Sequence, residues 1–230
     1  MKDHTHSRRD FLERLGATAL LATMPVTPEV LGALNGRTAS SSGTAEEWDL
    51  TWVDRVNAKH RACFDVPEIE SGYGVWRASL WVQQYSDVLK TTPQDCSPVL
   101  ILRHNAIALA MNQSFWDKYE IAKINIVKHP VTGEPTDRNP ALLSSTRNEV
   151  PANFDPLALD KFLARGGIAL ACNLALDEMV KLVSKHDGTS GDVSRTTAIA
   201  ALVPGVILQP SGVFAAIRAQ DAGCKYLRAS

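Results

Sequence analysis

From residue 46 onward, the apolar positions of the chain switch repeatedly between a strand-like and a helix-like period. Trp48, Trp52 and Val56 recur at i, i+4 and i+8, which predicts a short helix over Glu46–Lys59. His60–Val66 alternates and ends at Pro67, so it reads as a first strand. Gly72–Lys90 is helical, with Trp81, Tyr85, Val88 and Leu89 on one face. Pro98–Leu102 is a continuous apolar run of the kind found in strands buried on both faces. A helical stretch, Asn105–Tyr119, follows it. The second half repeats the scheme. Asp155-Pro156 opens a helix, with Asp155 as N-cap and Pro156 at its first position, and Gly166-Gly167 closes it. Ile168–Cys172 is a strand, Leu174–His186 and Asp192–Leu202 are helices, and Gly205–Gln209 is a strand. Ser211–Ala222 is a helix and Lys225–Arg228 a last short strand.

Strands alternating with helices require a mainly parallel sheet covered on both faces. The expected fold is therefore α/β: a three-layer, flavodoxin-like domain spanning residues 46–230. Lys128–Asn153 interrupts the alternation with a loop rich in Pro, Thr, Asn and Arg. A loop of that length inside a compact domain is expected at the strand-end rim or at a subunit contact.

The first 45 residues belong to a different program. Ser7-Arg8-Arg9-Asp10-Phe11-Leu12 has the twin-arginine export pattern, followed by the mildly apolar run Leu15–Met24. Ten residues are too few to span a hydrocarbon core, which takes about 20. The order of charge and apolar run is that of an export signal. A small, polar linker, Thr38–Ala45, leads into the domain. The expectation is a periplasmic protein that meets the twin-arginine translocase during export and has no membrane span. Beyond residue 45 the chain carries 19 basic and 21 acidic residues, a net charge of −2. That balance, without a basic stripe, argues against nucleic acid as a partner. Four cysteines, Cys63, Cys96, Cys172 and Cys224, are too scattered for a disulfide framework, although in an oxidising compartment any of three pairings is open.

In a parallel sheet the ligand site lies beyond the carboxyl ends of the strands. That rule selects Arg103-His104-Asn105, Cys172-Asn173 and Gln209-Pro210-Ser211. Cys172 stands at a strand-to-helix junction, where unpaired N–H groups and the helix dipole favour a thiolate and hence a nucleophile. The same residue also fits a small, inert cysteine at the end of a buried strand. His104 suits a base, donor or ligand, with Asn105 capping the next helix. Arg103 and His104 are the cations expected nearest to Cys172. Ser211 reads as an N-cap. His60 and Cys63 have the spacing of two metal ligands, but on a strand they point to opposite faces. No second paired motif joins them, so neither metal nor cofactor is expected.

Gly167–Asn173 with the helix behind it, and Val203–Cys224, resemble the DsrE/DsrF-like family. His60–Asp65 and Leu102–Leu109 are similar to exported members of that group. The resemblance covers roughly residues 58–228. It implies a three-layer α/β subunit that assembles into homo-oligomers and a cysteine that carries persulfide sulfur, matched here by Cys172. It also implies a small molecule or a sulfur-carrying protein as partner. On this reading Cys172 is the reactive group, and His60, His104, Asn105, Asn173, Gln209 and Ser211 are candidate binding residues. The rival expectation is a non-catalytic module that binds a small ligand or serves assembly. A third is a redox or metal enzyme built on His60, His104 and the thiols.

Overall fold

The computed structural model describes residues 48–230. The expected export motif, its apolar run and the linker lie outside these residues. Five strands, β1 (His60–Val66), β2 (Cys96–Leu102), β3 (Ile168–Cys172), β4 (Ile207–Gln209) and β5 (Lys225–Arg228), form one parallel sheet in the order β4-β3-β2-β1-β5. No helix among the described residues is long and apolar enough to cross a membrane.

This strand order dictates where the helices go. From β1 to β4 each step moves to the next strand in the same direction. Right-handed crossovers then place every intervening helix on one face. These are α1 (Tyr73–Leu89), the short α2 (Gln113–Lys118) and α3 (Ile121–Asn125), α4 (Leu159–Ala164), α5 (Asn173–Asp187) and α6 (Gly191–Ala200). The step from β4 to β5 runs back across the whole sheet, so α7 (Gly212–Asp221) lies on the opposite face. The burial follows the alternation of each strand. Phe64, Leu100, Leu102 and Ala169 join the core beneath α1–α6, while Cys63, Val99, Ile101 and Leu170 pack with Ala215 and Ala219 of α7. The chain is a three-layer α/β domain of the flavodoxin-like kind.

Three local expectations need correction. Residues 51–55 form a 3-10 turn rather than an α-helix, with Trp52 fully buried against the α7 side. Asn105–Tyr119 is not one helix. His104–Ala110 is 3-10, the chain turns extended at Met111, and α2 starts afresh with the Asn112 side chain accepting from the Phe115 N–H at 2.9 Å. The cause is the run Ala106–Met111, buried on every side, which leaves no solvent face for an amphipathic helix. Asp155 does not cap a helix. Its Oδ1 accepts from the Ser145 N–H at 2.6 Å and ties two parts of the long loop together, and α4 begins only at Leu159.

The second half of that loop packs onto the domain. Asn139 is buried, with its Nδ2 donating to the carbonyls of Leu109 and Met111 at 3.1 and 2.8 Å. Leu143, Val150 and Leu157 form a small core of their own around Trp76 of α1. A loop that buries its own apolar side chains behaves as a structural cover over α1.

Candidate functional site

β3 and β4 are neighbours, yet β3 continues into α5 on one face and β4 into α7 on the other. Where adjacent connections diverge, a crevice opens beyond the strand ends. Here it is a cavity of about 720 Å³. It takes in the ends of β2 (Arg103, His104, Asn105), β3 (Cys172) and β4 (Ser211, Gly212), with walls from α3 and α5. None of residues 128–153 lines it.

Cys172 is the last residue of β3, in register with Gln209, and immediately precedes the fifteen-residue α5. Its thiol is free, and the residue is 6 % exposed. Cys172 is the N-cap residue of α5, and no side chain, its own included, bonds the first N–H groups of that helix. His104 sits on the rim, exposed, with φ of 52°. A histidine in the left-handed region carries backbone strain of about 1–3 kcal/mol. The turn is held by Arg103 N–H bonding Val66 O at 3.2 Å and by Ala106 N–H reaching Arg103 O at 3.1 Å. Asn105 does not cap the following segment; its Nδ2 donates to Glu68 Oε2 at 2.8 Å. Ser211 caps α7, its Oγ accepting from the Phe214 N–H at 3.0 Å.

The other expected residues stand apart from this group. The Asn173 Oδ1 accepts from Arg195 Nη2 at 2.6 Å, which fastens α5 to α6. Gln209 is fully buried. Its Oε1 accepts from Trp52 Nε1 at 3.0 Å and its Nε2 donates to Asp49 O at 2.8 Å, so it anchors the segment that precedes β1. His60 lies at the amino end of β1, on the opposite rim of the sheet, with its ring edge-on to Tyr85.

A charged cluster that the pattern of strand ends did not reveal lies beside the crevice. Asp65, 2 % exposed, accepts from Arg103 Nε and Nη2 at 2.6 and 2.8 Å and from the Tyr226 hydroxyl at 2.6 Å. Burial works to raise the Asp65 pKa, but the hydrogen bonds from Arg103 and Tyr226 outweigh it and hold the carboxyl below its usual range. Arg103 is correspondingly raised by its bond to Asp65. The guanidinium is thus committed to Asp65 rather than offered to Cys172. Gly212 makes room for it, since a Cβ there would stand 2.5 Å from Arg103 Cβ. The signal was present in the sequence: an aspartate between Phe64 and Val66 in the inner part of a strand, and an arginine directly after the next strand.

The remaining thiols are located differently. Cys63 and Cys224 are sealed beneath α7, where burial pushes them up to about 12 and about 11 respectively. Cys96 is buried at the start of β2, and its pKa is likewise raised by burial. Set against known proteins, the chain matches no family model and no curated protein.

Proposed function

We propose that this chain is an exported, DsrE-like protein that admits a small sulfur-bearing molecule to the strand-end crevice and takes up sulfur on Cys172. The observation that carries this reading is a 720 Å³ cavity that has a free thiol in its wall at the head of a long helix. In the step proposed, the Cys172 thiolate attacks the outer sulfur of a protonated donor persulfide, R–S–SH, and that sulfur carries its proton across. A new S–S bond forms on Cys172, the donor S–S bond breaks, and R–S⁻ leaves with the electron pair. No net oxidant is needed. The α5 N-terminus, whose dipole favours negative charge, begins at the next residue. His104 on the rim is available to hold the departing anion or its proton.

Incubation of the native protein with glutathione persulfide, followed by intact-mass analysis, tests this. Addition of one sulfur atom that disappears in Cys172→Ser supports the reading, and addition elsewhere or none refutes it. Low exposure of Cys172 favours a second reading, in which the crevice binds a ligand non-covalently and the thiol is only part of its wall. A thiol reagent that modifies Cys172 in the folded protein excludes that alternative. The periplasmic location and passage through the twin-arginine translocase rest on Ser7–Leu12. Retention of an Arg8-Arg9→Lys-Lys variant in the cytoplasm is the expected result. Homo-oligomeric assembly belongs to the same proposal. Leu174 and Val213, apolar and 66 % exposed at the mouth of the crevice, suit a subunit contact, which sedimentation measures directly.

A further inference from the structure

A second concavity lies away from the crevice, at the amino end of the sheet. β5 pairs with β1 outside the strip that α1 covers. Lys225 and Leu227 are in register with Ala62 and Phe64 of the α1-facing side, and both are exposed there. The gap between β5 and α1 is a cavity of about 370 Å³, within the size range of small-ligand sites.

Its interior is aromatic. Phe64 lies 5.7 Å from Trp81, Trp81 4.9 Å from Tyr85, and Tyr85 5.1 Å from the His60 ring, so the rings form one continuous row from strand to helix. Its border is cationic. Lys59, Arg61 and Lys225 line it, and no Asp or Glu does. Arg61, of the same strand parity as Cys63, turns toward the α7 face and closes the amino rim: Nε donates to Ala58 O and Nη1 to Ala222 O, both at 3.0 Å. Gly223, at φ +87°, lets the guanidinium lie close, since a Cβ there would come within 3.0 Å of Nη1. Asp95, bonded by the Thr92 N–H and hydroxyl at 2.8 and 2.9 Å, offsets part of the Lys59 charge from outside the groove, which leaves Lys225 without an acidic neighbour in the lining.

Like charges gathered around an apolar floor repel one another unless an anion joins them. An aromatic row is best filled by another flat ring, through offset stacking, with cations at its edge. We propose that this groove binds a small, flat aromatic anion, with its ring along Phe64, Trp81 and Tyr85 and its acidic group at Lys59 and Lys225. The site is independent of Cys172 and of the crevice.

Calorimetric titration of the full chain with 2-naphthoate tests it, with 2-naphthamide and cyclohexanecarboxylate as partners lacking the charge and the flat ring. The naphthoate binds saturably, and each partner compound binds at least about tenfold more weakly. Lys59→Gln/Lys225→Gln, which alters only exposed side chains, weakens naphthoate by about tenfold. Cys172→Ser leaves the binding unchanged. Equal affinity for the amide reduces the groove to an apolar patch and overturns the proposal. An unaffected lysine variant, a Cys172→Ser variant that loses binding, or no saturation up to roughly 10 mM naphthoate overturns it too.

Discussion

The carboxyl-end rim has two halves built from similar polar residues, and they are put to opposite uses. In the half formed by β5, β1 and the end of β2, Asp65, Arg103 and Tyr226 satisfy one another and close the rim. In the half formed by β2, β3 and β4, the chain diverges to both faces and leaves a cavity with His104 and Cys172 around it. Arg103 belongs to both: it lines the cavity, yet its charge is spent on Asp65. Polarity alone therefore does not mark the open half. What marks it is the place where neighbouring connections part, because only there does the backbone leave space for another molecule.

Breaking the closed half has the largest expected effect. Asp65→Ala leaves Arg103 and Tyr226 without their acceptor. It lowers stability by about 3 kcal/mol in urea denaturation, the low end for a broken buried pair, because Arg103 keeps some access to water. Gly212→Ala forces a methyl into Arg103 and costs about 1–3 kcal/mol. A loss in Gly212→Ala that persists undiminished in an Arg103→Gly background, which removes the Cβ it meets, contradicts the assigned contact when measured as a double-mutant cycle.

The same cluster fixes a pH dependence. The folded pKa of Asp65 lies below its unfolded value of about 3.9, so its contribution is fully present above that value. It is lost as pH falls through the folded pKa. The urea midpoint of the wild type therefore drops below about pH 4, and Asp65→Asn flattens that part of the curve. The smallest structural effect belongs to the open half. Cys172→Ser changes stability by about 1 kcal/mol or less, since the side chain borders a cavity. It abolishes labelling of the folded protein nonetheless. Cys63→Ser sharpens the contrast: it costs more, by placing a hydroxyl in a sealed apolar layer, and does not change the labelling.

Much of this was legible along the chain, where local pattern and tertiary burial agree. β1, β3 and β5 run over His60–Val66, Ile168–Cys172 and Lys225–Arg228, as alternation and apolar runs predict. β2 begins earlier than its apolar run, at Cys96 rather than Pro98. β3 joins β2 only from Val99 onward, so a proline is tolerated before the ladder on that side begins. The grouping of His104, Asn105, Cys172 and Ser211 followed from strand ends alone. Gln209 and Asn173 could not be separated from them in that way, because what occupies each amide is a residue far along the chain, Trp52 or Arg195. Asp65 with Tyr226 stayed hidden for the same reason, 161 positions apart.

That separation has a consequence for how the molecule is made. β2 reaches β1 after a single crossover through α1, but the other side of β1 receives its partner only with Lys225–Arg228. At a synthesis rate of about 5–20 residues per second, β1 waits roughly 10–30 s for β5 once it has emerged. Throughout that interval one edge of β1 is unpaired, and Asp65 lacks its tyrosine. The nascent chain thus has an exposed strand edge that a chaperone must shield or that risks pairing with a neighbour. Closure of the sheet by β5 becomes a late checkpoint, which pulse-labelled proteolysis of arrested nascent chains can time.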